Sequence, residues 1–300
     1  MTGEHTPTLT LKARINAYEK LMRLDKPIGT LLLLWPALWG LWFASPYYQR
    51  FEIVLIFVVG TVLMRSAGCV LNDYADRDFD PHVKRTADRP LAQRLIAPKE
   101  ALVLAGVLAA LAFVLVLFLN KLTILLSMAA LFLAASYPFT KRFFPLPQAY
   151  LGIAFGFSIP MAFAAYQNAL PPLAWVLLLA NVFWAIAYDT EYAMVDRDDD
   201  MRLNLKSSAL LFGVFDVAAV MLFHGLFIAT MAGVGASLKL GLLYFLGLAV
   251  TAALVVYQFQ LIKTRNRERC FKAFMNNNWA GAFVFAGLAA DYAYRIPLFK

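Results

Sequence analysis

The sequence predicts an all-α integral membrane bundle of about nine transmembrane helices, two four-helix repeats plus one. Three observations lead there. Hydrophobic residues make up 61% of the 300 residues and charged residues 15%, with a mean hydropathy of +0.65, whereas soluble domains carry about 25% charged residues. The apolar residues fall in runs close to the ~20 residues needed to cross the hydrocarbon core. Basic residues are sorted between alternate loops, as membrane orientation requires.

The elements follow in order. The stretch 1–26 is polar and amphipathic, with Leu9, Leu11, Ile15, Tyr18, Leu21 and Met22 on its apolar side. It is expected to lie along the membrane surface and does not read as a cleavable signal peptide. Apolar runs then predict helices over 28–44, 51–71, 101–119 and 122–137, the first repeat. The second repeat is expected over 147–166, 173–188, 208–233 and 238–262, with a ninth helix over 278–294. Pro36 and Pro160 fall inside two of these runs, which membrane helices tolerate when neighbours satisfy the freed carbonyl. The chain reads as a single transmembrane unit over 1–300.

Charge sets the orientation. Lys12, Arg14, Lys20, Arg23 and Lys26 precede the first helix, and Arg77, Lys84, Arg85, Arg89, Arg94 and Lys99 follow the second. Further basic groups occur at 141–142, 197–206 and 263–272. The opposite side holds only Arg50, Lys121, Lys239, Arg295 and Lys300. The basic side is therefore expected to be cytoplasmic, N-terminus included. Lacking an Arg- and Ser-rich presequence, the chain is expected in a bacterial inner membrane. The net charge of +8 is explained by this sorting, so no nucleic-acid partner is expected. Cys69 and Cys270 are too few for a zinc site or a disulfide framework.

The acidic residues carry the chemistry. One cluster, Asn72-Asp73-Tyr74-Ala75-Asp76-Arg77-Asp78-Phe79-Asp80, follows the second helix. The other, from Asp189 and Glu191 through Asp196 to Asp198-Asp199-Asp200, follows the sixth. Together they hold about half of the 19 Asp and Glu residues, at one membrane face. If the helices continue, Asn72, Asp76 and Asp80 share one face and Asp196 and Asp200 another. Stacked carboxylates repel unless a cation lies between them. Hard oxygen donors with an amide among them suit Mg²⁺, which shares its shell with water and phosphate oxygens. Two such clusters could clamp a diphosphate through bridging metals, whereas solvated acidic loops would need no such spacing. Lys141, at a helix end, is a candidate for leaving-group oxygens. Arg65, a charge within an apolar run, is a functional candidate by position. His82 reads as a solvated loop residue.

At these residues the sequence resembles the UbiA superfamily of intramembrane prenyltransferases, over nearly its whole length. The family's N-D-x-x-D-x-x-x-D is matched by Asn72, Asp73, Asp76 and Asp80, and its R-T-x-x-R-P-L by Arg85, Thr86, Arg89, Pro90 and Leu91. Its D-x-x-x-D is matched by Asp196 and Asp200, and its Y-x-x-x-K by Tyr137 and Lys141. The segments Arg23-Leu24-Asp25-Lys26-Pro27-Ile28-Gly29-Thr30 and 189–200 are most similar to members that prenylate 4-hydroxybenzoate in ubiquinone biosynthesis.

The resemblance implies a nine-helix bundle whose substrates are a polyprenyl diphosphate and an aromatic acid, with the bilayer as surroundings and Mg²⁺ as cofactor. Asn72, Asp76, Asp80, Asp196 and Asp200 would hold the metal. Lys141 and Tyr137, with Arg77, Lys84 or Arg85, would contact the diphosphate. Asp73 or Asp189 would orient or deprotonate the phenol, Tyr192 would face the diphosphate or the allylic cation, and Arg23 or Arg65 would pair with the acceptor's carboxylate. The competing readings are a family member with another acceptor (a naphthoate, homogentisate, haem or a chlorophyll precursor), a phosphatidyl-type transferase and an ion-coupled transporter. The second lacks its D-G-x-x-A-R signature here. The third would place its acidic residues near the bilayer midplane.

Overall fold

The computed structural model describes residues 10–82, 86–140 and 142–295, and every element in them is helical. In chain order these are α1 (Leu11–Leu21), α2 (Ile28–Ala44), α3 (Phe51–Asp76), α4 (Pro98–Val116), α5 (Lys121–Thr140) and α6 (Pro147–Gly156). They continue with α7 (Ser158–Gln167), α8 (Pro172–Arg202), α9 (Ser208–Phe212), α10 (Asp216–Ser237), α11 (Leu242–Ile262) and α12 (Arg267–Arg295). Seven segments are long and apolar enough to cross a membrane, counting α6–α7 and α9–α10 as one span each, and α2 is a shorter apolar helix. α12, 29 residues long, packs along α11 and against α2 and α8.

The structure differs from the expected boundaries in three places, each for a local reason. The run 147–166 is two helices meeting at Phe157, because Pro160 has no N–H for the Gly156 carbonyl one turn back. The run 208–233 begins as α9 and a 3₁₀ turn at Gly213–Phe215 before α10. The last helix starts at Arg267 rather than near 278, so most of the basic stretch 263–272 is helical rather than loop.

α8, α10, α11, α12 and α2 form the densest part of the bundle. Trp39 and Trp184 meet at 5.1 Å between ring centroids, and Phe227 stacks on Trp184 at 5.8 Å. Both indoles are satisfied: Trp39 Nε1 donates to the Gly281 carbonyl at 3.2 Å and Trp184 Nε1 to Asn277 Oδ1 at 3.1 Å. α11 and α12 approach so closely at Gly247 and Gly287 that a Cβ on Gly247 would lie 2.5 Å from the Phe283 carbonyl oxygen. Such small-residue crossings let membrane helices gain packing where lipid supplies no hydrophobic drive.

The α3–α4–α5 side is looser. α4 lies along α3, with Val70 packed against Ala101 and Ala105, but touches α5 sparsely. The outer faces of α4 and α5 present Val103, Val107, Leu125 and Phe132, all exposed, as a lipid-facing surface requires. α1 is capped by Thr10, whose Oγ1 accepts from Ala13 N at 3.3 Å. Its Ala17 and Leu21 pack with Val70, Leu91 and Ile96 across one end of this side.

Candidate active site

Between the two parts lies a cavity of about 700 Å³. Its polar end is built by the last turns of α3 and α8, because each helix carries its acidic residues beyond its apolar run. Asn72, Asp73, Asp76, Asp80, Tyr137, Asp189, Tyr192, Asp196 and Asp200 all line it, as do Arg23 and Arg65. Tyr137 stands within electrostatic reach of Asp76 on one side and Asp189 on the other, so the two clusters, far apart in sequence, face one space.

The clusters are held differently. α3 ends at Asp76, so Asn72 and Asp76 share a helix face, but Asp80 is not on that helix. It arrives by a 3₁₀ turn, Asp80–His82, which corrects the expectation of one continuous acidic stripe. Arg89 holds it there, and Arg23 joins Arg89 on the neighbouring Asp73. Arg89 Nη1 lies 3.0 Å from Asp73 Oδ1 and 2.8 Å from Asp80 Oδ2. Arg23 Nη2 donates to both Asp73 oxygens, at 2.9 and 3.0 Å. Thr86 Oγ1 donates to the Asp80 carbonyl at 2.9 Å. Burial pushes the Asp80 carboxyl above the usual range, with Arg89 opposing the shift. Arg142 ties the end of α5 to this turn, donating to the Ala75 carbonyl at 2.8 Å with its guanidinium 5.8 Å from the Phe79 ring centroid.

The second cluster is one continuous helix to Arg202. Asp189, Tyr192, Asp196 and Asp200 face the cavity, whereas Arg197 points the other way. Arg197 Nη2 donates to the Ala209 and Gly213 carbonyls at 2.7 and 2.8 Å and to Asp216 Oδ2 at 2.5 Å. Arg265 reaches the same fully buried Asp216 at 2.8 Å. Tyr192 packs on Phe274 at 4.8 Å, and the Gln148 amide stands beside Asp189.

Arg65 lies about 10 Å along α3 from Asn72, toward the bilayer interior. Its Nε is buried without a hydrogen-bond partner among the described residues. The guanidinium rests against Gly29, where a Cβ would fall 2.3 Å from Nη2, and lies 5.9 Å from the Phe155 ring centroid. Glycine at position 29 is what lets this charge enter the cavity.

Not every candidate is brought in. Arg77 turns away, donating to the Tyr74 carbonyl at 2.8 Å and lying 3.7 Å from Asp78, and it does not line the cavity. Arg23 lines the cavity with its guanidinium bonded to Asp73 and to the Lys20 carbonyl. Lys84, Arg85 and Lys141 lie outside the described residues. Arg89 and Gln148 were not singled out in the sequence; Arg89 stood in a quoted motif, and Gln148 was a polar residue at the inner end of an apolar run.

The donor set fits a hard divalent cation. Among the described residues no three His, Cys, Asp or Glu side chains converge into a closed metal cage. An ion at this site would therefore need water and phosphate oxygens to complete its shell.

Comparison with known proteins gives the same picture. Residues 33–296 match the UbiA prenyltransferase family. The chain is 63% identical over 284 residues to the 4-hydroxybenzoate octaprenyltransferase of Azoarcus sp. (strain BH72), covering 95% of this chain and 99% of that one. It is 61% identical over 287 residues to the protein of that name from Nitrosospira multiformis, covering 96% and 99%. The apo structure of a UbiA homolog from Aeropyrum pernix K1 superposes with a TM-score of 0.78 at 27% identity, over 87% of this chain and 97% of that one. A UbiA homolog from Archaeoglobus fulgidus, bound to GPP and Mg²⁺, shares the fold at 17% identity with a TM-score of 0.65, over 91% and 99%. The match across nearly the whole sequence, together with paired acidic helix ends over one intramembrane cavity, makes this multi-pass membrane protein a member of the UbiA prenyltransferase family.

Proposed function

We propose that this enzyme transfers a polyprenyl group from polyprenyl diphosphate to the carbon ortho to the hydroxyl of 4-hydroxybenzoate, in ubiquinone biosynthesis, with Mg²⁺ as cofactor. The observation that carries the reading is the cavity itself. Two acidic helix ends face each other across its polar end, an arginine stands deeper in, and the remaining wall is mostly apolar, with Thr61, Ser127 and Ser158 among its residues. The names of relatives about 60% identical over nearly their full length support the acceptor.

Asn72, Asp76 and Asp80 on one side and Asp196 and Asp200 on the other would hold the metal. Bound Mg²⁺ would neutralise the diphosphate and stabilise charge on the departing oxygens. Arg23 and Arg89 hold Asp73 and Asp80 in place, so Asp73 serves this scaffold and Asp189 is the better placed carboxylate to accept a hydrogen bond from the phenol. Lys141, Lys84 and Arg85 remain proposed diphosphate contacts, and Tyr137 borders the same space. As the donor C1–O bond breaks and diphosphate departs, the ring carbon attacks C1, and the proton on that carbon passes to the released diphosphate. The Tyr192 face can stabilise positive charge on the allyl group, and the apolar walls exclude the water that would quench it. Arg65, with an unpartnered buried donor, is assigned to the acceptor's carboxylate. The basic residues gathered at the same end as the acidic clusters support an inner-membrane enzyme whose site opens toward the cytoplasm.

The test is product formation by the purified protein in detergent with geranyl diphosphate and 4-hydroxybenzoate. A 3-prenylated product that requires Mg²⁺, with Arg65→Met raising KM for the acceptor at least tenfold and leaving that for the donor nearly alone, is expected. Diphosphate release with another aromatic acceptor but none with 4-hydroxybenzoate would overturn the assignment.

A further inference from the structure

The cavity does not stop at the acidic clusters. It continues along α3 toward the opposite side of the bilayer, and its far end is closed by Phe57, Leu119 and Met161, which belong to one packed apolar cluster. From Asn72 to Phe57, α3 covers about 22 Å. One turn before this floor stands Gly60. It lines the cavity, and a Cβ there would meet nothing within 4 Å. Glycine at this position is therefore not explained by close helix packing, unlike Gly247 or Gly29. In the interior of a helix it costs about 1 kcal/mol relative to alanine, a cost with no packing return.

The facing helix mixes small residues with large ones, Ala109 and Ala112 beside Phe113 and Val116. α3 and α4 run antiparallel with Val70 against Ala101 and Ala105, so about 15 Å outward along both helices Gly60 comes level with Ala112. Ala109 and Ala112 line the same cavity. The missing side chain at position 60 thus widens the channel just before it ends.

We propose that Gly60 sets which isoprenoid chain lengths this enzyme accepts, by keeping the distal chamber above the Phe57–Leu119–Met161 floor open to the far units of the tail. The proposal rests on the prenyltransferase reading above and adds to it the residue that reads the tail. A geranyl chain, roughly 10 Å long from ordinary bond lengths, ends short of Gly60, which is about 18 Å from Asn72 along α3. A chain of many isoprene units must pass it.

The experiment compares wild type, Gly60→Leu and Gly106→Leu with geranyl, farnesyl and octaprenyl diphosphates. Gly106 also has open space around its Cβ but is exposed on the outer side of α4 and does not line the cavity. The expected result is a fall of at least tenfold in the octaprenyl-to-geranyl ratio of kcat/KM for Gly60→Leu, with the ratio for Gly106→Leu within about twofold of wild type. Thermal stabilisation of each protein by each donor with Mg²⁺ provides a second readout that needs no acceptor, so failure on 4-hydroxybenzoate alone leaves the length proposal open to test. The donor dependence of stabilisation should shift for Gly60→Leu alone. An unchanged ratio, or an equal loss for all three donors in both readouts, would overturn the proposal. Wild type that neither turns over nor is stabilised by any donor would sink the prenyltransferase reading and this inference with it.

Discussion

The two acidic clusters face one cavity but are made in opposite ways. The α3 cluster is assembled from pieces: the helix stops at Asp76, Asp80 returns from a turn, and Arg23 and Arg89 pin the cluster from outside the helix. The α8 cluster is a single helix, braced from behind where Arg197 meets Asp216. In the first, arginines touch the acidic residues of the site itself. In the second, Arg197 points away from the cavity to Asp216, and Arg267 reaches Asp198 and Asp199 from the start of α12 at 3.0 and 3.5 Å. One site thus combines a half gathered from a helix end and a turn around Arg23 and Arg89 with a half carried on one continuous helix.

The comparison can be broken at the clusters themselves. Replacing Asp76 or Asp196 by alanine should each lower kcat for prenyl transfer by at least ~10²-fold, the scale seen when one group stabilising transition-state charge is removed. If either variant kept near wild-type turnover at saturating Mg²⁺, the two halves would not act together on the diphosphate.

The supports sharpen it. Arg89→Ala leaves two buried carboxylates short of a partner, and breaking a buried pair costs about 3 kcal/mol or more. Its melting temperature should fall by several degrees. Arg197→Ala should cost less, about 1–2 kcal/mol, because Arg265 still pairs with Asp216. Equal losses in the two variants would mean that the halves are braced alike. The smallest effect is expected at the surface, where Arg14 lies 2.8 Å from Glu100 with its side chain 52% exposed. Arg14→Ala should leave the same melt unchanged, and a clear loss would show that α1 braces the α3 half through that pair.

Much of this was legible along the chain. Helix type follows from apolar runs, and the second cluster's spacing kept its meaning because α8 runs on without interruption. The same reasoning failed at Asp80, where a turn replaces the helix; the local signal is Pro81, because the residue before a proline is disfavoured in a helix. The kink at Phe157 has its cause in Pro160, whereas the early start of α12 was hidden because Arg267, Glu268, Arg269 and Lys272 are charged and exposed and so look like loop.

The sequence by itself determined that this is a helical membrane protein with oxygen-rich helix ends, because composition, run length and i, i+4 spacing are local properties. Only the tertiary structure decided which arginines serve as scaffold and which do not. Arg23, Arg65, Arg77 and Arg89 are alike as letters, and their roles separate only when distant helices place a carboxylate, a glycine or open space beside each one. The same holds for Gly60, whose missing side chain has meaning only because a channel ends one turn away.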